Sequence, residues 1–102
     1  MFQVTALYNP PEDPAAFDKY YDEVHTGLAT KLPGLQRYSV SRPGPDAEGN
    51  PPAYHLVAVL EWADQDTFNA SIQSPEGQAT LADLANFAGA GITMLTGEAT
   101  IL

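Results

Sequence analysis

The segment 54–62 is apolar on both sides, and this pattern limits the folds that are open to the chain. As a strand, it places these apolar side chains on one face: Tyr54, Leu56, Ala58, Leu60 and Trp62. The opposite face is also mostly apolar and carries His55, Val57, Val59 and Glu61. A sheet with one solvated face shows a clean alternation of apolar and polar residues. We therefore expect protein to cover both faces of this strand.

The order of the predicted elements indicates what covers the first face. Four segments have the composition of strands, at 2–8, 35–42, 54–62 and 92–96. A helix is expected from Asp13-Pro14 to Pro33-Gly34, and a second helical region from 64 to 88 restarts at Ser74-Pro75. The order β-α-β-β-α-β predicts one α+β domain, residues 1–102, with a ferredoxin-like fold. In that fold two helices cover one face of a four-stranded antiparallel sheet.

The second apolar face of the segment 54–62 needs a different cover. Two helices from one chain can cover only one side of the sheet, so the simplest cover is the same surface of a second copy. The sequence thus predicts a homodimer in which two sheets pack face to face.

One histidine stands beside the apolar stripe of the first helix. The residues expected on that stripe are Phe17, Tyr21, Val24, Leu28 and Leu32. His25 then lies at the border between core and solvent, where a near-neutral pKa suits proton transfer. Asp22, three residues earlier, is a helical neighbour that could hold the ring. The alternative is a packed histidine with a single hydrogen bond.

The other candidate residues are aromatic or acidic side chains that could join His25 at a pocket. Tyr21 and Tyr38 are the first choices for binding a small molecule, and Tyr8 is the third, because tyrosines offer a hydroxyl at an apolar wall. His55 either lines the same cavity or stacks in the dimer interface. Asp83, on the last helix, is either a site carboxylate or a group that caps or tethers a loop.

Composition excludes several classes of partner. The chain has 4 basic and 13 acidic residues, a net charge of −9, which disfavours nucleic acid and anionic membranes as partners. It has no cysteine, no HExxH-type spacing and no glycine-rich phosphate loop, so we expect neither a metal site nor a nucleotide cofactor. No secretory signal or membrane span is visible, which predicts a cytoplasmic protein.

The whole chain resembles the EthD family. The hallmark is an aromatic-rich helix with a central histidine followed by Leu-Pro-Gly-Leu, here Phe17 to Tyr38 with His25 and Leu32-Pro33-Gly34-Leu35. Later matches are Tyr54-His55-Leu56-Val57-Ala58, Ser74-Pro75-Glu76-Gly77 and the segment 82–88. The resemblance implies a dimeric α/β barrel. It also implies a role in the breakdown of small organic compounds, in a fold shared with isomerases, cyclases, cofactor-free monooxygenases and haem-degrading enzymes.

Three functions are compatible with these features. The first is a small enzyme without cofactor that acts on an apolar, cyclic or aromatic oxygenated compound, as an oxidoreductase or monooxygenase or as an isomerase or cyclase. His25 would then be the catalytic acid or base, with tyrosine hydroxyls orienting a carbonyl. The second is a non-catalytic barrel that holds a small hydrophobic ligand or haem. The third is a dimeric module whose pocket is vestigial.

Overall fold

Four antiparallel strands form a single sheet in the order β2-β3-β1-β4. The computed structural model describes residues 1–102. Its strands are β1 (Phe2–Tyr8), β2 (Arg37–Ser41), β3 (Leu56–Trp62) and β4 (Ile92–Glu98). Its helices are α1 (Pro14–Tyr20), α2 (Thr26–Ala29), α3 (Gln65–Gln73) and α4 (Pro75–Phe87), with a π-helical segment, Tyr21–His25, between α1 and α2. This is the predicted ferredoxin-like α+β fold.

The core lies between the helices and one face of the two central strands. In β1 and β3 every second residue is buried, as a period of two requires. Val4 stands opposite Leu60, and Ala6 stands opposite Ala58. Three of the helices begin at a residue that caps them. The side chains of Asp13, Asp64 and Ser74 accept hydrogen bonds from backbone N–H groups in the first turns of α1, α3 and α4, respectively.

The first helical region buries Phe17, Tyr21 and Leu32 of the stripe that was predicted for it, but not the other two residues. We expected Val24 and Leu28 to face the core, but Val24 is 40% exposed, whereas His25 and Ala29 are buried. The cause is the π-helical segment, in which the N–H of Thr26 donates to the carbonyl of Tyr21, five residues earlier. Its wider turn accommodates one more residue than an α-helical turn. Side chains exactly four positions apart therefore stay on the buried face.

The predicted position of His25 at the edge of the core is corrected by the same geometry. Its side chain belongs to the buried series, which consists of Phe17, Tyr21, His25 and Ala29. The π-helical segment thus turns a histidine toward the sheet at a place where regular α-helical spacing puts valine and leucine.

The second face of the sheet is apolar at its centre, as the sequence indicated, and no helix of the chain covers it. Leu7, Val57 and Val59 are half-buried there, and Leu95 of β4 is 55% exposed. The register places Thr5 between Val59 and Leu95, so these side chains are neighbours on that face.

None of the helices has both the length and the apolar character that crossing a membrane would require.

Candidate functional site

An apolar cavity of about 250 Å³ lies between the helices and the core face of the sheet. Of the 20 residues that line it, 16 are hydrophobic. Its polar side chains include those of His25, Tyr8, Tyr21 and Tyr38. An engineered cavity of about 150 Å³ in another protein holds benzene. This cavity is therefore large enough for a compound of one or two rings.

The structure brings four of the five predicted site residues together at this cavity, and His55 is the exception. His55 precedes β3, and its Nε2 lies 2.8 Å from Oδ1 of Asp18. Its ring meets the edge of Phe17 at a centroid distance of 5.2 Å. His55 therefore contacts α1 and does not line the cavity.

His25 is held by a carboxylate from a distant part of the chain. Its Nδ1 lies 3.0 Å from Oδ2 of Asp83, and each side chain is only 6% exposed. The predicted partner, Asp22, instead accepts a hydrogen bond from Arg42 at 3.1 Å on the surface. Asp83 therefore contacts the candidate histidine directly, as the first of the two interpretations of its sequence position requires.

This pairing leaves the other nitrogen of His25 free. With Nδ1–H donating to Asp83, the neutral ring carries a lone pair on Nε2. Nε2 has no hydrogen-bond partner within the chain, and it is not among the buried polar atoms that lack one. Burial lowers the pKa of His25 below its ordinary value, although the hydrogen bond to Asp83 and its charge oppose the shift. His25 is therefore neutral near pH 7 and able to accept a proton.

Asp83 is itself held by two further donors. The Tyr20 hydroxyl donates to Oδ1 at 2.5 Å, and the Asn86 amide donates to the same oxygen at 3.0 Å. Burial acts to raise the pKa of Asp83, but these two hydrogen bonds and the one from His25 outweigh it, so the pKa lies below its usual value. A buried carboxylate is stable only when it is paired in this way. Asp83 is thus a fixed negative charge behind His25.

Three tyrosines supply hydroxyls to the same cavity. The hydroxyls of Tyr21 and Tyr38 are 2.5 Å apart, so one of them donates to the other. The hydroxyl that accepts keeps its own proton, which can be donated to a bound molecule. Burial raises the pKa of Tyr8, Tyr21 and Tyr38, so all three are protonated donors at neutral pH.

One signal in the sequence could have favoured Asp83 over Asp22. Positions 77, 80, 83 and 87 of α4 follow the spacing of a helix face that turns inward, and Gly77, Thr80 and Asp83 are buried. A carboxylate at an inward position is rarely left alone and needs a partner.

No group of three or more His, Cys, Asp or Glu side chains is placed to hold a metal ion.

Fold and site together define a small ferredoxin-like α+β protein with a histidine–aspartate pair beside an apolar cavity that the histidine lines. Residues 9–91 match the model of the EthD domain, so the chain belongs to the EthD family. An uncharacterized 11.0 kDa protein from the thcB-thcC intergenic region of Rhodococcus erythropolis is 41% identical, over 100% of this chain and 99% of that protein. An EthD family protein of Bacillus halodurans has a similar structure, with 32% identity, a TM-score of 0.92 and coverage of 98% and 99% of the two chains.

More distant structures share the fold alone. A dimeric ferredoxin-like protein of unknown function from Thermobifida fusca has 20% identity and a TM-score of 0.69, over 94% of this chain and 88% of that one. SnoaB, a cofactor-independent oxygenase from Streptomyces nogalater, has 18% identity and a TM-score of 0.65, over 99% of this chain and 93% of that one. The fold therefore occurs both in dimers and in an oxygenase that uses no cofactor.

Proposed function

We propose that this protein is a cofactor-independent enzyme that removes a proton from a small, apolar, cyclic or aromatic oxygenated compound, with His25 as the base. The observation that carries the proposal is the buried pair of His25 and Asp83 at a cavity with an apolar wall. Proton abstraction is the first step that isomerisation, cyclisation and oxygenation of such compounds have in common. The proposal therefore concerns that step.

The geometry favours His25 as the base. Its Nε2 lone pair is free, and the positive charge that develops on the ring is balanced by Asp83 at Nδ1. A histidine supported by a buried carboxylate is the arrangement by which serine hydrolases prepare a general base. In the step proposed here, a C–H bond next to a carbonyl breaks, the proton binds to Nε2, and the electron pair moves into an enolate.

The tyrosine pair supports the same step by offering a hydroxyl to the substrate oxygen. Of the two hydroxyl protons of Tyr21 and Tyr38, one lies between the oxygens and the other is free to donate. A hydroxyl that donates to the carbonyl oxygen stabilises the negative charge of the enolate. Most of the surrounding wall is apolar, so this interaction gains strength from the low local dielectric.

Hydrogen–deuterium exchange in a two-ring ketone tests the proposal without knowledge of the natural substrate. 2-Tetralone fits the size and polarity of the cavity and has acidic protons next to its carbonyl. We expect the protein to accelerate the exchange of these protons in D₂O, measured by proton NMR. We expect His25→Gln to slow the catalysed exchange by about 10²-fold or more, the usual contribution of a positioned base.

His55→Asn is the matched control, because His55 is the other histidine and lies outside the cavity. Its exchange rate should stay within twofold of the wild-type rate. If wild type and His25→Gln catalyse the exchange equally, His25 is not the base.

The same assay decides between an enzyme and a binding protein. A non-catalytic barrel would bind 2-tetralone, visible as shifts of cavity resonances, without accelerating exchange. Haem is a poorer fit than a small ligand, because the cavity of about 250 Å³ is below the range of roughly 300–1,000 Å³ that is usual for pockets of drug-sized ligands.

We also propose that the protein is a homodimer in which the open faces of two sheets pack together. The support is the apolar centre of that face, formed by Leu7, Val57, Val59 and Leu95, and the dimeric state of a structural relative. A sedimentation mass of twice the 10.9 kDa chain is expected at micromolar concentration. Val59→Glu, in the middle of the face, should lower the sedimentation mass to that of the monomer. A wild-type mass near that of one chain contradicts the proposal.

A further inference from the structure

Only one oxygen of Asp83 reaches His25, and the other is held from outside the cavity. Oδ2 pairs with Nδ1 of His25, whereas Oδ1 accepts hydrogen bonds from the Tyr20 hydroxyl at 2.5 Å and from the Asn86 amide at 3.0 Å. Tyr20 and Asn86 do not line the cavity. They line a separate, open groove between the start of α1 and the end of α4. Their hydrogen-bonded connection to His25 therefore runs through Asp83.

We propose that Tyr20 and Asn86 are positioning residues that decide, through Asp83, which nitrogen of His25 carries the proton and how strongly the ring holds a second one. The proposal concerns the same site as the proposed function, and it is tested on His25 itself rather than on turnover.

The orientation of the carboxylate is the first reason. A carboxylate can rotate about the bond that joins it to Cβ, and rotation would carry Oδ2 away from Nδ1. Two donors on Oδ1 resist that rotation, because it would break both hydrogen bonds at once. With Oδ2 held in place, Nδ1 keeps its proton and Nε2 keeps its lone pair toward the cavity.

The charge of the carboxylate is the second reason. Donors on Oδ1 satisfy part of the negative charge of Asp83, so the carboxylate depends less on a positive charge at His25. Without one donor, a buried carboxylate is less well satisfied, and a charged imidazolium beside it becomes more favourable. Removing either donor should thus raise the pKa of His25.

The remaining groups around His25 do not compete for this role. Tyr21 lies beside it on the same helical region, with ring centroids 5.3 Å apart, and Tyr8 and Tyr38 follow beyond Tyr21. All three are phenols that stay protonated near neutral pH. Phe87 of α4 packs on the His25 ring and carries no charge. Asp83 is the one carboxylate in hydrogen-bond contact with the ring.

Titration of the His25 ring by NMR tests the proposal in the folded, full-length protein. Tyr20→Phe removes a single hydroxyl and keeps the ring that stacks on Phe87 at 5.4 Å. We expect the titration midpoint of His25 to rise by roughly half a unit to one unit in Tyr20→Phe and in Asn86→Leu. In the double variant Tyr20→Phe/Asn86→Leu, where neither donor holds Oδ1, the ring nitrogen shifts should show a larger fraction of the tautomer with its proton on Nε2. Tyr54→Phe is the matched hydroxyl deletion outside the network and should leave the titration unchanged.

The variants must also be compared in the absence of the carboxylate charge. In an Asp83→Asn background, Tyr20→Phe should no longer move the midpoint of His25, because the path through Asp83 is broken. An unchanged midpoint in both Tyr20→Phe and Asn86→Leu overturns the proposal. A shift that persists undiminished in Asp83→Asn overturns it as well. Failure of ketone exchange would instead overturn the proposed function and leave this result intact.

Discussion

Nδ1 of His25 and Oδ2 of Asp83 are 3.0 Å apart, although 58 residues separate them along the chain. The contact joins the π-helical segment to the middle of α4, directly behind the cavity. Because both side chains are nearly inaccessible to water, breaking this hydrogen bond would leave Nδ1 of His25 without a partner. The stability of the fold and the state of the candidate base are therefore coupled through one hydrogen bond.

Acidification should reveal this coupling as a loss of stability. Burial holds the pKa of His25 below its ordinary value of 6.5 in the folded protein, whereas in the unfolded chain it titrates near that value. Between these two pKa values the unfolded chain binds more protons at His25 than the folded protein does. The free energy of unfolding therefore falls as pH decreases through that window. At pH values above the window, His25 makes no contribution to the pH dependence. Asp83, whose pKa is also lowered, adds its own loss only when pH falls below its ordinary value of 3.8.

Urea unfolding between pH 5 and pH 8 measures this effect. The wild type should lose more stability than His25→Gln on passing from pH 7 to pH 5, because the variant has no imidazole to charge. Identical pH slopes in the two proteins would show that the folded and unfolded states bind a proton at His25 equally.

The Tyr21 and Tyr38 hydroxyls should be energetically coupled. Tyr38→Phe leaves the Tyr21 hydroxyl without its partner at a side chain that is 1% exposed, so we expect a loss of about 1–2 kcal/mol. Tyr21→Phe should cost less on account of this hydrogen bond, because Tyr38 is only half-buried and leaving its hydroxyl unpaired is less costly than doing so at Tyr21. The double variant removes both hydroxyls and should be more stable than the sum of the single losses implies. Strict additivity in urea unfolding would contradict the pairing.

The strands and their order along the chain were predictable from the sequence, because the signal for each strand is local. The alternation in β1 and the two-sided apolar pattern of β3 are set by the side chains themselves, and Pro or Gly residues stand near their ends. Even the open face of the sheet could be inferred, since Val57 and Val59 were apolar where a solvated face would be polar.

The candidate site was predictable only in part, because two of its features depend on tertiary packing. The π-helical segment has no composition of its own, so regular spacing placed Val24 inward and His25 at the edge of the core. The pairing of His25 with Asp83 depends on how α4 packs on that segment. The spacing of residues within one helix, which suggested Asp22, does not show this packing. His55, whose ring contacts Phe17, could not be assigned to the cavity or to the dimer interface from the sequence, because a strand pattern does not show which end of the strand a helix covers.

Two glycines in helices should respond to alanine in opposite directions. A Cβ on Gly77 would lie 2.3 Å from the backbone oxygen of Ser71 and 2.5 Å from Cα of Ile72, so α3 and α4 would have to move apart. Gly77→Ala should therefore cost about 1–3 kcal/mol or more. A Cβ on Gly27 would meet nothing within 4 Å, and Gly27→Ala should stabilise the helix by up to about 1 kcal/mol. Thermal unfolding of the two variants measures both effects. A stable Gly77→Ala protein would contradict the close helix contact.

Filling the cavity should separate stability from ligand binding. Ala58 of β3 lines the cavity, and valine at this position adds two methyl groups and favours a strand. Ala58→Val should be as stable as wild type or more stable by about 1 kcal/mol, because each methylene-sized group that fills a void contributes about 0.8 kcal/mol. The same change should weaken binding of 2-tetralone at least tenfold, measured by the NMR shifts of cavity residues. Thr93→Val, which places the same valine side chain on the opposite face of the sheet, is the control and should leave binding unchanged. If Ala58→Val is stable and binds the ketone as tightly as wild type, the ligand lies elsewhere, and His25 faces a void that is only a packing defect.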